Sequence, residues 1–404
     1  MNAASHFLTA AIRDTWVRKD RAVLGVSAAA ILLGVIIALL SESAGKRFWH
    51  AYLIQVSFLL SIGLGALFFV ILHHLVNAKW SVVVRRVAEY LTLLVPLAGL
   101  LLLPIAVPLL FGYGALYHWN DAEYVAHDAL IQGKAGYLNA PFFVARLLLY
   151  FAIWSGMIVL YVGGSLRQDD AQDLVAWHRM RRFSGPSMIS YALTINFAAF
   201  DLLMSIDAHW FSSIFGVYFF AASAVAFLAA LTLAVLGLQW TGKLRDEVNA
   251  EHYHDLGKLL FGFNMFWAYI AFSQYLLIWY ANIPEETSWF LRRQENGWQW
   301  IGVTLVFGHF LLPLFGLMSR QQRRNPRVLA FWSAFLLMAH WMDLYWLVMP
   351  EASKSPVVIG SVEVLSGIAC LTVGGVWLLR STRGKRFIPS GDPYLDQSLS
   401  FHNV

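Results

Sequence analysis

Asp201, Asp343, Arg146, His309 and His340 all stand inside long apolar runs of the sequence. An ionisable side chain facing lipid costs roughly 2.5–3.5 kcal/mol or more, so such groups are expected to face other helices rather than the bilayer. His73, His74 and Glu89 fall near one end of their runs, while Arg146, Asn196, Asp201, Gln274, His340 and Asp343 fall toward the other. His309 is near the middle of its run, and Pro313, four residues on, has no N–H to offer its carbonyl. Carboxylates and imidazoles joined by water can pass protons between apolar walls. The same residue types also serve as polar ties between helices, so the sequence leaves a proton path and a set of structural ties both open.

A second group lies where the chain leaves the apolar runs. Asp207 and His209, beside Trp210, form a short turn in which a carboxylate and an imidazole could release protons to water, or in which Asp207 could cap the next helix. Asn282, Glu285 and Glu286, with Pro284 among them, suit either a docking surface for a partner subunit or a solvated turn. Axial haem ligation needs imidazoles at matching depth on facing helices, and no such pair is evident. The single cysteine, Cys370, excludes an intrachain disulfide framework, a thiolate iron–sulfur site and two-cysteine haem attachment. Any redox chemistry is then expected in a partner or in a non-covalent ligand, and no metal site is expected.

These residues need helices to position them, and the composition supplies them. Apolar residues make up 59% of the 404 residues and charged ones only 13%, a balance suited to lipid as solvent. Runs long enough to cross a hydrocarbon core recur near residues 21–40, 50–76, 88–111, 142–163, 187–205, 212–238, 258–281, 299–318, 328–349 and 357–379. Ten transmembrane helices are expected, the first retained rather than cleaved. Of the 29 Lys and Arg residues, Lys46, Arg47, Lys134, Arg146, Arg292, Arg293 and Lys354 fall on one side and the other 22 on the opposite side. The positive-inside rule then places both termini in the cytoplasm. It also accounts for the net charge of +5 without a nucleic-acid partner. The longest segment between spans, Gly112 to Ala140, is outside and rich in Tyr, Trp and His, which suits aromatic anchoring at the interface or a docked partner.

The spans carry a weak internal repeat. The second opens at Trp49 and the sixth at Trp210; the fourth ends in SLRQ from Ser165 and the eighth in MSRQ from Met318. Asp201-Leu202 in the fifth matches Asp343-Leu344 in the ninth. The expected architecture is all-α, with two parallel four-helix bundles over 48–205 and 210–350 and flanking helices and termini in 1–47 and 351–404.

Four stretches are more specific: Ala78 to Glu89, Phe200 to Ser223, Leu259 to Thr287, and His340 to Pro350. They closely resemble the ActF-type subunit of bacterial alternative complex III, within the NrfD/PsrC-like membrane proteins. The resemblance implies a cofactor-free subunit of the bacterial cytoplasmic membrane in a quinol:electron-acceptor oxidoreductase. Quinol, such as menaquinol, would be oxidised in the complex, chiefly by an ActC-like paralogue. Iron–sulfur clusters and c-type haems would reside in an iron–sulfur subunit and multihaem cytochrome subunits, with a terminal oxidase as a further partner. It further implies roles for His74, Glu89, Asp201, Asp207, His209, Gln274, His340 and Asp343, and a proton path as the subunit's contribution. Two other readings stay open: a quinone-binding anchor of another oxidoreductase, and a secondary transporter with parallel repeats. Against the transporter, the Pro96, Pro104 and Pro108 cluster has no counterpart in the seventh span.

Overall fold

The computed structural model describes residues 42–171, 174–244, 246–352 and 359–402, together with Gly25. The expected first span lies outside the described residues apart from that glycine. Among the described residues there is no β-strand, and nine helices are long and apolar enough to cross a membrane. Along the chain run α1 (Glu42–Leu75), α2 (Val82–Leu91), α3 (Leu94–Leu109), the short α4 (Ala122–Ala126) and α5 (Ala129–Gly133), α6 (Ala140–Ala171) and α7 (Leu174–Leu202). They are followed by α8 (Phe215–Trp240), α9 (Ala250–Ala281), α10 (Pro284–Arg292), α11 (Trp298–Thr304), a π-helical segment Leu305–Leu311 and α12 (Leu312–Met318). The last elements are α13 (Arg320–Arg324), α14 (Pro326–Val348), α15 (Ser361–Ser381) and α16 (Leu395–Leu399). Two crossings are composite: α2 with α3, and α11 with the π segment and α12.

The third expected span is broken where its sequence requires it. Pro96 cannot donate to the carbonyl of Thr92, so the helix stops at Leu91 and restarts at Leu94. It also begins earlier than hydropathy places it, at Val82, which brings Arg85 and Arg86 into the packed interior instead of a loop.

A helix that is apolar on every face belongs in a core. That describes α1, whose apolar window is 94% buried, and α8, whose window is 78% buried. The two pack along one another at the centre, with α3, α7, α14 and α15 against α1, and α9 and α14 against α8. Small residues permit the approach. A Cβ on Gly65 would stand 2.4 Å from the Ser223 carbonyl oxygen and 2.5 Å from the Phe227 Cβ. Gly65→Ala is therefore expected to lower stability by about 1–3 kcal/mol, because backbone must move to admit one methyl. A melting temperature in detergent unchanged by the substitution would show that α1 and α8 are not held at contact distance. The outer helices are less enclosed: the windows of α9, of the α11–α12 crossing and of α15 are each 28% buried, leaving large apolar side chains outward for lipid.

Candidate functional site: a buried polar line beside an apolar cavity

Helix α14 presents Ser333, His340 and Asp343 on one buried face, each with no exposed surface. Their spacing of seven and three residues is that of a single helical stripe. Asp343 accepts hydrogen bonds from two neutral donors, the Tyr218 hydroxyl on α8 and Trp267 Nε1 on α9, the latter at 3.3 Å. Among the described residues no cation is in contact with it. The indole ring of Trp267 stacks on His309, with ring centroids 3.7 Å apart. His309 sits in the π segment, whose wider turn is seen in the Leu312 N–H reaching back five residues to the Phe307 carbonyl. Pro313 explains the local irregularity, and π turns recur at functional positions.

His340 Nε2 is 2.9 Å from Ser61 Oγ on α1. Ser61 Oγ also lies 2.8 Å from the Phe58 carbonyl, and the second imidazole nitrogen of His340, Nδ1, meets no partner among the described residues. That Nδ1, both nitrogens of His309, both side-chain polar atoms of Asn264 and Ser333 Oγ are buried with no hydrogen-bond partner among the described residues. Buried polar atoms of this kind are where structural water binds. Together with Asp343 and Tyr218 they outline a polar line through otherwise apolar packing.

Asp201, the acid matched to Asp343 in the expected repeat, is held differently. Asp201 on α7 takes a bidentate ion pair from Arg146 on α6, at 2.8 and 2.9 Å, and a hydrogen bond from Tyr150 at 2.8 Å. Arg146 also donates to the Tyr137 carbonyl and lies under the rings of Tyr137 and Phe142. Shifting Arg146 and Tyr150 by the 153 residues that separate Ser165 from Met318 gives Gln299 and Val303. Neither is a cation or a hydroxyl. Both instead line a cavity of about 820 Å³ between α9, α10 and the α11–π crossing. Its inner wall includes Tyr218, Trp267 and Gln274, and its aromatic mouth includes the exposed Phe272 and Phe307.

The remaining predicted residues fall outside this line. His73 donates from Nδ1 to the Phe69 carbonyl one turn back, and His74 stacks on Tyr161. Glu89 is enclosed by Arg85 and Arg86, which also reach Asp392 and Asp169, so it belongs to a charge cluster joining α2, the end of α6 and the C-terminal segment. Asn196 bonds its own helix at Ala192 and is pressed against Gly216 of α8. Gln274 accepts from Ser212 at 3.1 Å at the cavity wall.

On the loop side, Asp207 does not cap α8, which starts at Phe215; its Oδ1 accepts from the backbone N–H groups of His209 and Trp210. Its second oxygen pairs with Arg292, and Glu351 bridges Arg292 and Arg293. Burial pushes the Arg293 guanidinium below its ordinary range, and Glu351 opposes that shift. His209 pairs with Asp128 at 2.5 Å. Backbone N–H donors, the Ile131 amide first, hold the Asp128 carboxyl below the usual range, and His209 adds to this. The aromatic segment from Gly112 to Ala140 packs down on this end: Tyr117 and Trp119 are buried, and the Tyr117 hydroxyl bonds the Leu202 carbonyl. Asn282 takes a left-handed conformation that ends α9, while Glu285 and Glu286 fill the first turn of α10, where a helix favours acids.

Sequence reasoning missed Tyr218, Ser61, Asn264 and Ser333, neutral residues that carry no signal until their contacts are seen. No group of three or more potential metal ligands occurs among the described residues. The chain matches no family model and no curated protein sequence.

Proposed function

We propose that this chain is the ActF-type membrane subunit of a bacterial alternative complex III, and that its contribution is a proton path through its second half. The four long sequence stretches support the family reading. The observation that supports the proton role is Asp343: a fully buried carboxyl held only by a phenol and an indole, in line with His309, His340 and orphaned polar atoms. A carboxyl solvated by neutral donors can change charge state without breaking an ion pair. Asp201, locked to Arg146, is on this reading a structural tie.

On the same reading the chain forms two related four-helix units that meet through their first helices, α1 and α8. Both termini face the cytoplasm, in the bacterial inner membrane. The Asp207–Arg292–Glu351 end then faces outward, with Asn282, Glu285 and Glu286 available to dock iron–sulfur and multihaem subunits. Quinol is oxidised elsewhere in the complex, chiefly at an ActC-like subunit, and electrons leave for a cytochrome or terminal oxidase.

Affinity isolation in mild detergent tests membership. The expected result is co-purification of iron–sulfur and c-haem chains, with haem absorbance in the complex and none in this chain alone. Purification as a stable single chain that moves a solute when reconstituted would overturn the reading. The cavity against Tyr218 and Trp267 favours one alternative, a quinone-binding anchor, because a lipophilic ring entering there would reach the donors of Asp343.

A further inference from the structure

At the opposite end of the bundle from Asp207, α2, the last turns of α8 and α15, and the C-terminal segment surround a cavity of about 1230 Å³. Its wall has two zones. The part between the spans is apolar, with Val87, Leu91, Leu238, Leu378 and Leu379. The rim carries Lys243, Arg383, Lys385 and Arg386 with the hydroxyls of Thr241 and Thr382, against one acid, Glu247.

Both helices that feed the rim end on a glycine in the left-handed region, Gly242 (φ 80°) and Gly384 (φ 74°). Those turns carry Lys243 past the end of α8, and Lys385 and Arg386 past the end of α15, to the opening that Arg383 also lines. Complementing the two C-terminal dipoles would take about one cation per helix. Four converge here, and none of the four forms an ion pair among the described residues. The far wall is fixed in advance. Tyr90 donates to the Arg386 carbonyl at 2.6 Å, Ser398 donates to the Trp80 carbonyl at 2.7 Å, and Asp392 pairs with Arg85. The Lys243 ammonium lies 4.9 Å from the centre of the Phe387 ring, which holds it at the rim.

We infer that this cavity is a binding site for an anionic glycerophospholipid, its phosphate at the Lys243–Arg383–Lys385–Arg386 rim and its acyl chains against the apolar wall between α2, α8 and α15. An apolar slot continuous with the spans and closed by clustered cations is the arrangement that recognises such lipids. The excess of positive charge excludes a zwitterionic lipid as the preferred occupant, and the long apolar wall excludes a small soluble anion.

The test uses the full chain, delipidated in mild detergent, with melting temperature and native mass spectrometry as readouts. Diphosphatidylglycerol is expected to raise the melting temperature and to give a one-lipid adduct, whereas phosphatidylcholine and inorganic phosphate do neither. The exposed triple variant Lys243→Gln/Arg383→Gln/Lys385→Gln is expected to bind on the order of 100-fold more weakly, at roughly one surface-cation contribution per residue. Gly237→Phe fills the apolar slot from a position where a Cβ meets nothing within 4 Å. It is expected to abolish the adduct while leaving every cation in place. Equal response to phosphatidylcholine, a full response to inorganic phosphate, or unchanged binding by either variant would overturn the assignment.

Discussion

Asp201→Asn is expected to destabilise the chain by about 3–5 kcal/mol, the range for breaking one side of a buried ion pair. The cause is Arg146, whose side chain is 8% exposed and would keep its charge without the carboxylate that offsets it. Its remaining contacts, the Tyr137 carbonyl and the two aromatic faces, do not neutralise it. Arg146→Met/Asp201→Asn removes the charge from both partners and keeps an acceptor for the Tyr150 hydroxyl. That double variant is expected to recover at least half of the loss, giving a coupling energy of about 2 kcal/mol or more. Thermal unfolding of the four proteins in one detergent measures the cycle. Additive losses below about 1 kcal/mol each would mean that water reaches the pair and screens it.

The spans were legible because hydropathy acts over some twenty residues and needs no partner. What it could not show was where charges compensate one another. Arg85 and Arg86 count as loop cations in a sequence tally, yet both are buried, because Asp392 and Asp169 arrive from 307 and 83 residues away. Local pattern carries no trace of such pairing. Asp207 was legible as a loop acid, but its bond to Arg292 depends on α10 folding back over the same end.

The two aspartates make the point most clearly. In the expected repeat they are equivalent, which would give them one role. Their surroundings differ at the neighbouring helix, where the expected repeat sets Arg146 and Tyr150 against Gln299 and Val303. Asp201 meets a cation there, whereas Gln299 and Val303 line a cavity that reaches Tyr218 and Trp267, the donors to Asp343.

The sharpest consequence concerns Asp343→Asn in the assembled complex. The substitution preserves shape and the Tyr218 hydrogen bond, while Trp267 Nε1 meets an amide in place of one carboxylate oxygen. The chain is expected to stay folded with a loss of about 1–3 kcal/mol, that of one unsatisfied buried group. Proton movement coupled to quinol oxidation is expected to fall by about 100-fold or more, the low end of what a positioned proton-transfer group contributes. Quinol oxidation itself is expected to persist, because the reacting quinol is bound by another subunit in the proposed assembly. Tyr218→Phe removes a donor but leaves the acid, so it is expected to slow proton movement without abolishing it. Proton release into vesicles beside acceptor reduction separates the two readouts. Normal pumping by Asp343→Asn would reduce the acid to a tie between α8, α9 and α14. Loss of both activities in a folded complex would instead place a quinone in the cavity behind Tyr218 and Trp267, and make this carboxyl its proton acceptor.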